Sequence, residues 1–299
     1  MAIPDRVGVV GLGIMGSAMS ASLIGAGFSV RGYDVLARRR SELSRAGGRP
    51  ARSVRDLAKA APIMITSLPS SAALLEVAAD IARAKRLGQI VIETSTLPIE
   101  IKERARKLLA VKDITLLDCP LSGTGAQARV RDLAVYASGQ RSAYRRCIPV
   151  FEGFARTHFF LGRFGAGSKM KFLANLLVAV HNVSAAEALV LGMKAGLDPA
   201  TMVKVLSDGA GSSRMLQIRG PMMAGNDYRA ATMKVGVWQK DMRIITEFAR
   251  VLDCPTPLFA ATTAVYNAAM ALGFEDADTA SVCAVLENWA AIRRRSPSP

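Results

Sequence analysis

Near its start the chain runs from a β-branched segment, Arg6–Val10, into Gly11-Leu12-Gly13-Ile14-Met15-Gly16 and on into an apolar stretch of helical length ending near Ile24. Three glycines at this spacing between a strand and a helix have few uses. The first permits a tight turn, the second lets the backbone approach a pyrophosphate, and the third lets helix and strand pack closely, with the helix N-terminus facing the anion. A second strand, Phe28–Tyr33, follows Gly25 and Gly27 and ends at Asp34. A carboxylate there is placed to accept hydrogen bonds from adenosine ribose hydroxyls, which favours NAD over NADP. Arg38, Arg39 and Arg40 come next. They either neutralise a 2′-phosphate, admitting NADP, or simply begin a solvated helix. Because Asp34 beside such a phosphate costs Coulomb energy, NAD is the expected cofactor.

The alternation continues for half the chain. Helices are expected near Ser53–Ala60, Ala72–Ala84 and Ile99–Leu109, with strands at Ile63–Ser67, Ile90–Glu93, Thr115–Asp118 and Leu133–Ser138. Strands alternating with helices give a doubly wound, mostly parallel α/β sheet. After Gly165-Ala166-Gly167 the pattern changes to helices alone: one long apolar helix over Ser168–Ala195, then Asp198–Asp208, Val235–Leu252, Pro257–Ala271 and Ala277–Trp289. The expected organisation is a dinucleotide-binding domain over 1–164, an all-helical domain over 165–292 joined by the long helix, and a disordered basic tail over 293–299.

Charge narrows the function classes. The net charge of +15 is concentrated in residues 1–164, which hold 25 Lys/Arg against 13 Asp/Glu. The positive residues are scattered in short runs and are not interleaved with aromatics, as a stacking platform for single strands requires. A nucleic-acid partner is therefore not expected; a basic field also speeds the encounter with an anionic substrate or dinucleotide. The four cysteines, Cys119, Cys147, Cys254 and Cys283, show no Cys-x-x-Cys spacing, and there are only two histidines. That pattern excludes a zinc constellation and reads as buried, reduced thiols. No uninterrupted apolar run reaches the ~18–20 residues of a membrane span, and no secretory leader is evident. A cytoplasmic protein without a membrane partner is the expectation.

Two further groupings carry possible chemistry. On the long helix, Lys171, Asn175, Val178 and Asn182 fall on one stripe among Met170, Phe172, Leu173, Leu176, Leu177 and Val180. A lysine in such surroundings can serve as a general acid or base, or it can lie in an exposed turn and meet solvent. Directly after a strand stands Asp118-Cys119-Pro120-Leu121-Ser122-Gly123-Thr124-Gly125. Its small residues make either an ordinary turn or a nest of N–H groups and hydroxyls for a carboxylate.

With these blocks in view, the sequence resembles the β-hydroxyacid dehydrogenase family, which includes 3-hydroxyisobutyrate dehydrogenase and tartronate semialdehyde reductase. Four blocks carry the resemblance: the cofactor loop Gly11–Gly16 with Met15; Asp118-Cys119-Pro120-Leu121-Ser122-Gly123; Gly165-Ala166-Gly167-Ser168-Lys169-Met170-Lys171 with Asn175; and Lys240-Asp241. The resemblance implies that Lys171 is the catalytic acid/base and that Asn175 orients the substrate. Ser122 and Gly123, with Thr124 beside them, would bind the substrate carboxylate, and Lys240 would close the site near substrate and nicotinamide. Leu68-Pro69 and Thr96 look like further cofactor contacts. It also implies an N-terminal Rossmann domain, a helical second domain, a small hydroxy acid as substrate, and a homodimer or homotetramer. Thr124 stands where many members have a second glycine, Ala174 replaces one asparagine of a frequent pair, and Met233 sits where phenylalanine is common. Segments such as Gly196-Leu197-Asp198-Pro199 and Gly209-Ala210-Gly211-Ser212-Ser213 look closest to the L-threonate dehydrogenase branch. Two alternatives remain at this point. One is an NADPH-dependent imine reductase of the same superfamily, whose members generally lack a lysine matching Lys171. The other is a non-catalytic nucleotide-binding protein.

Overall fold

The strand segments are short and almost wholly apolar, and they assemble side by side because both of their faces can be buried. In a computed structural model, residues 6–84 and 86–294 are described. Contacts divide the chain into two compact units, separating after Lys171 rather than at the 164/165 boundary expected from composition. The shift has a local cause: the first residues of the long helix are hydrogen-bonded to the end of a strand in the first unit.

The first unit holds a six-stranded parallel sheet of β1 (Arg6–Val10), β2 (Ser29–Tyr33), β3 (Arg49–Pro50), β4 (Ile63–Thr66), β5 (Ile90–Glu93) and β6 (Thr115–Asp118), in the spatial order 3-2-1-4-5-6. This is the strand order of the dinucleotide-binding fold, with its switch point beside β1. Alternate side chains enter opposite layers. Ile63, Ile65, Ile90, Ile92 and Leu117 pack with Met19, Leu23 and Phe151, from α1 (Ile14–Gly25) and α7 (Arg141–Phe154). Met64, Val91 and Leu116 pack with Leu57, Leu74, Ile81, Ala105 and Leu109. The latter come from α3 (Val54–Ala60), α4 (Ser71–Arg83) and α5 (Ile99–Ala110). Between β2 and β3 lies α2 (Ala37–Arg45).

A second, three-stranded sheet was not anticipated from the sequence pattern. It comprises β7 (Leu121–Ser122), β8 (Ala134–Ala137) and β9 (Thr157–Phe160), with β7 antiparallel and β9 parallel to β8. Two-residue strands such as β3 and β7 are too short to show any periodicity. Between β7 and β8, α6 (Gly125–Arg129) opens with a capping box from Thr124 and Gln127.

The long helix, α8 (Ala166–Lys194), begins within two residues of its expected start. Its length and mean hydropathy of 1.6 would pass for a membrane span by composition alone, although polar residues such as Lys171, His181 and Asn182 interrupt its apolar run. A core helix passes the same test, and α8 buries Phe172, Asn175, Ala179, Asn182, Ala186 and Leu189. The second unit continues with α9 (Pro199–Asp208), α10 (Arg214–Gly225), α11 (Val235–Val251), α12 (Pro257–Ala271) and α13 (Val282–Trp289). A 3₁₀ turn, Thr279–Ser281, replaces the first part of the last expected helix, where Asp278 turns its carboxylate onto the Ala280 N–H at 2.9 Å. Helix α10 forms despite Gly220-Pro221 in its interior. Of the basic tail expected to be disordered, Arg294 is tied down: it pairs with Glu287 and donates to the Ala224 carbonyl at 2.6 Å. Residues 295–299 lie outside the described residues.

Three cysteines are buried as expected, but Cys254 is exposed. Burial pushes the Cys147 and Cys283 thiols up to about 12, and burial together with neighbouring Asp118 drives Cys119 well above the ordinary value. None of these three is a thiolate nucleophile at neutral pH. Among the described residues no cluster of metal-ligating side chains occurs.

Candidate active site

Adjacent parallel strands end on one edge of a sheet, so the loops after β1, β2, β4 and β5 come together there. Gly11 turns at φ +86°, and a Cβ on it would lie 2.1 Å from the Ser67 carbonyl oxygen. A Cβ at Gly16 would lie 1.8 Å from the Gly11 carbonyl oxygen, so the third glycine is required by the helix–loop contact. Gly13 differs: the nearest atom to its missing Cβ is Arg39 Nη1, 3.5 Å away. The first and third glycines answer to the protein's own packing, and the second leaves open backbone. Helix α1 starts at Gly13 without a side-chain cap or an acidic residue in its first turn. Its free N–H groups and dipole therefore suit a phosphate.

Asp34 directly follows β2 and is buried. Its Oδ2 accepts from the Leu12 N–H at 2.8 Å and from Arg39 Nη1 at 3.2 Å, while Oδ1 accepts from the Leu36 N–H at 2.9 Å. The carboxylate thus fixes the glycine loop to β2. Arg40 instead turns to the backbone, donating to the Asp34 carbonyl at 2.5 Å with its guanidinium over the Tyr33 ring. These residues fit a dinucleotide with its ribose at Asp34. Leu68 and Pro69 follow β4, and Thr96 follows β5. The Leu68 N–H donates to Ser95 Oγ at 2.8 Å, so those two loops are bonded to each other.

Ser122 lies on β7, half-buried, and Gly123 follows at φ +131°, where a Cβ would press to 2.6 Å from Leu133. Thr124 caps α6, and Gly125 packs so closely on Ile14 that a Cβ there would approach Ile14 Cγ2 to 2.3 Å. The Ser122–Gly125 segment is therefore seated directly on the cofactor loop.

Lys171 occupies the second turn of α8 and is half-buried. One turn later, in the second unit, Asn175 is buried and its Nδ2 donates to Asp241 Oδ2 at 2.8 Å. Lys240 Nζ stands 3.5 Å from Asp241 Oδ1. Asp241 therefore joins Asn175 and Lys240, two residues 65 positions apart in sequence. The remaining polar member of the stripe, Asn182, donates to the Tyr266 hydroxyl at 3.1 Å and accepts from Arg219 at 3.3 Å.

One charged group near this edge escaped the sequence reading. Lys102 on α5 is fully buried, with Nζ 2.9 Å from Asp118 Oδ1 and 3.9 Å from Glu93 Oε1. Its neighbours Glu103, Arg104, Arg106 and Lys107 make it read as one more solvated charge. The available signal was positional: Lys102 shares a helix face with Ala105 and Leu109, both buried.

Residues 6–162 match the family model for the NAD-binding domain of 6-phosphogluconate dehydrogenase. Residues 165–286 match the NAD-binding model of NADP-dependent 3-hydroxyisobutyrate dehydrogenase. The chain is 32% identical to L-threonate dehydrogenase of Cupriavidus necator over 93% of its own length and 94% of that relative. It belongs to the β-hydroxyacid dehydrogenase family. As a β-hydroxyacid dehydrogenase it is an NAD(P)-dependent oxidoreductase. A solved structure of Mycobacterium tuberculosis 3-hydroxyisobutyrate dehydrogenase with L-serine superposes with a TM-score of 0.86 at 27% identity, covering 95% of this chain and 99% of that one. An imine reductase from Pseudomonas sp. is more distant, at 21% identity and a TM-score of 0.63 over 95% of this chain and 100% of that one, and shares the fold alone.

Proposed function

We propose that this dehydrogenase oxidises a small hydroxy acid of the L-threonate class, with NAD preferred over NADP and Lys171 as general acid/base. The observation that carries the reading is the seating of Lys171: half-buried on a helix whose first turn is locked to β6, one turn before a buried asparagine held by Asp241. The substrate class is supported by the identity to L-threonate dehydrogenase along almost the whole chain. The NAD preference is supported by Asp34, a carboxylate bonded to the glycine loop at the place where a 2′-phosphate would sit.

In this reading Gly11, Leu12, Gly13, Ile14, Met15 and Gly16 hold the pyrophosphate, and Asp34 takes the ribose hydroxyls. Leu68, Pro69 and Thr96 complete the cofactor contacts. Ser122 and Gly123, with Thr124, hold the substrate carboxylate, while Asn175 and Lys240 orient the rest of the molecule. The dinucleotide, when bound, supplies the hydride acceptor. Neutral Lys171 takes the hydroxyl proton at Nζ as the carbonyl forms and the hydride leaves the same carbon that bore the hydroxyl; in reverse, its ammonium returns the proton. Because oxidation needs the neutral amine, its rate rises with pH and reduction shows the opposite trend.

The exposed side of α8 carries Leu173, Leu177 and Leu191, each more than half exposed. This apolar stripe is the contact we assign to a homodimer or homotetramer, to be checked by light scattering. Cytoplasmic placement accords with the exposed Cys254, which stays a free thiol in a reducing compartment.

The test is initial-rate reduction of NAD⁺ and NADP⁺ with L-threonate, D-glycerate, 3-hydroxyisobutyrate, 3-hydroxypropionate and 4-hydroxybutyrate. Turnover should be greatest with L-threonate and NAD⁺. Lys171→Ala should lower it by about 10²–10⁴-fold with nucleotide affinity retained. Nucleotide binding without turnover of any of these acids would overturn the reading in favour of a non-catalytic role.

A further inference from the structure

We propose that Asp118, held by Lys102, is a positioning residue that fixes the first turn of the helix carrying Lys171 and joins that turn to the cofactor loops. The inference rests on the reading of Lys171 as acid/base. Asp118 is the last residue of β6 and is fully buried. Among the described residues, the hydrogen bonds to its carboxylate come from within the first unit. Oδ1 accepts from Lys102 Nζ at 2.9 Å and Ser168 Oγ at 2.7 Å. Oδ2 accepts from the Ser168 N–H at 2.8 Å and Ser138 Oγ at 3.2 Å.

Ser168 is the third residue of α8, and the first-turn N–H groups of a helix have no partner within it. A carboxylate in that position satisfies one of them and complements the helix dipole. The neighbouring Gly167 N–H donates to Ser138 Oγ at 2.9 Å. A Cβ on Gly167 would stand 2.2 Å from the Tyr136 carbonyl oxygen and 2.7 Å from that of Asp118, so the helix start rests directly on strand backbone. Lys171 follows Ser168 by three residues, about 4.5 Å along the axis and about 60° around it. Its backbone is placed by whatever places Ser168.

The network extends in the other direction. Glu93 ends β5 and is the register partner of Asp118, so two fully buried carboxylates lie on adjacent strands. Like charges in such a place repel, and Lys102 Nζ lies within 4 Å of both. Glu93 Oε1 accepts from the Ser95 N–H at 2.7 Å, and its Oε2 accepts from Thr66 Oγ1. Ser95 Oγ in turn accepts from the Leu68 N–H. One buried chain of bonds thus runs from the loops after β4 and β5, through Glu93, Lys102 and Asp118, to the turn before Lys171. Buried ion pairs are weak devices for stability alone, since apolar side chains of similar volume do as well or better. This one grips the ends of three strands and one helix, all on the edge where the cofactor loops lie.

Two variants separate positioning from stability. Asp118→Asn is isosteric and leaves Lys102 balanced one-to-one by Glu93; Ser168→Ala keeps every charge and removes one bond. Turnover is measured per NAD⁺-binding site, counted by nucleotide titration, so the folded fraction cancels. A misplaced acid/base lowers turnover without weakening binding. The expected result is about a 10–100-fold fall for Asp118→Asn and about 3–10-fold for Ser168→Ala, with hydroxy-acid KM and NAD⁺ Kd within threefold of wild type. If Asp118→Asn gives no binding sites, Ser168→Ala decides alone. Turnover per site within twofold of wild type in the folded variants, with Lys171→Ala inactive, overturns the positioning role and leaves the acid/base reading intact. Full turnover in Lys171→Ala, or none in the wild type, overturns the acid/base reading and this inference with it.

Discussion

Each unit buries a basic side chain against a carboxylate, and the two clusters are built on different plans. In the helical unit Arg219 donates to Asp278 at 2.9 Å, and Asp278 also accepts from the N–H groups of Thr232, Met233 and Ala280 and from the Thr232 hydroxyl. One cation meets one anion, and the surplus donors come from the chain just before α11 and from the 3₁₀ turn that follows Asp278. In the sheet unit one lysine serves two carboxylates. The first arrangement is balanced and holds a loop closed. The second sets two carboxyl groups around one lysine and grips a helix start together with two cofactor loops. Counting buried charges does not separate a fastener from a positioning device; which element ends the charges hold does.

Lys102→Met tests that contrast most severely. It strands two buried carboxylates and should cost about 3–5 kcal/mol in urea denaturation. Arg219→Met strands one, still supplied with five protein donors, the Thr279 hydroxyl among them, and should cost less, about 2–3 kcal/mol. Equal losses would mean that the imbalance at Lys102 has no energetic meaning. Acid titration sharpens the comparison. Burial works to raise the Asp278 carboxyl, but Arg219 and the surrounding donors outweigh it and hold the group below the ordinary carboxylate range. A carboxyl lowered by folding contributes stability that is complete above its unfolded value, near 4, and is lost as pH falls through its folded value. Stability should therefore drop below about pH 4, and Asp278→Asn should flatten that part of the curve while lowering stability at neutral pH.

Smaller effects are expected at the cofactor edge. Arg39→Ala removes the guanidinium available to a 2′-phosphate and should lower the NADP⁺-to-NAD⁺ ratio of kcat/KM by up to about fivefold, since its side chain is partly solvated. Thr124→Gly gives up the cap of α6 and should cost only a few tenths of a kcal/mol in thermal melts. It would also show whether the departure from glycine at this position selects among hydroxy acids.

The parallel sheet and the glycine loop were legible because each rests on local chemistry. Strands buried on both faces read as apolar runs, and the turn after β1 needs Gly16 for a contact with Gly11 only five residues away, although Gly11 itself answers to Ser67 on a distant loop. Helix α8 was legible from periodicity, with an error of two residues at its start. Lys102, Arg219 and Asp278 were not, because their meaning depends on partners 16 to 59 residues distant. A charged residue carries no local mark of whether its face turns inward. The β7–β8–β9 sheet escaped for another reason: two residues of strand, Leu121-Ser122, are indistinguishable from a turn until β8 pairs with them.

On the proposed reading, in which Asp34 takes the ribose hydroxyls, its pairing with Arg39 makes cofactor recognition a competition. Ribose hydroxyls and a guanidinium then seek the same carboxylate, so NAD⁺ binding includes loosening a contact the protein makes with itself. The same guanidinium, once loosened, is a ready counter-ion for a phosphate. Ionic strength therefore acts on the two cofactors in opposite directions. Added salt weakens the Arg39–Asp34 attraction that NAD⁺ must overcome, and it also weakens the attraction by which NADP⁺ would be held. An enzyme so arranged becomes more selective for NAD⁺ as salt rises, with no residue changed.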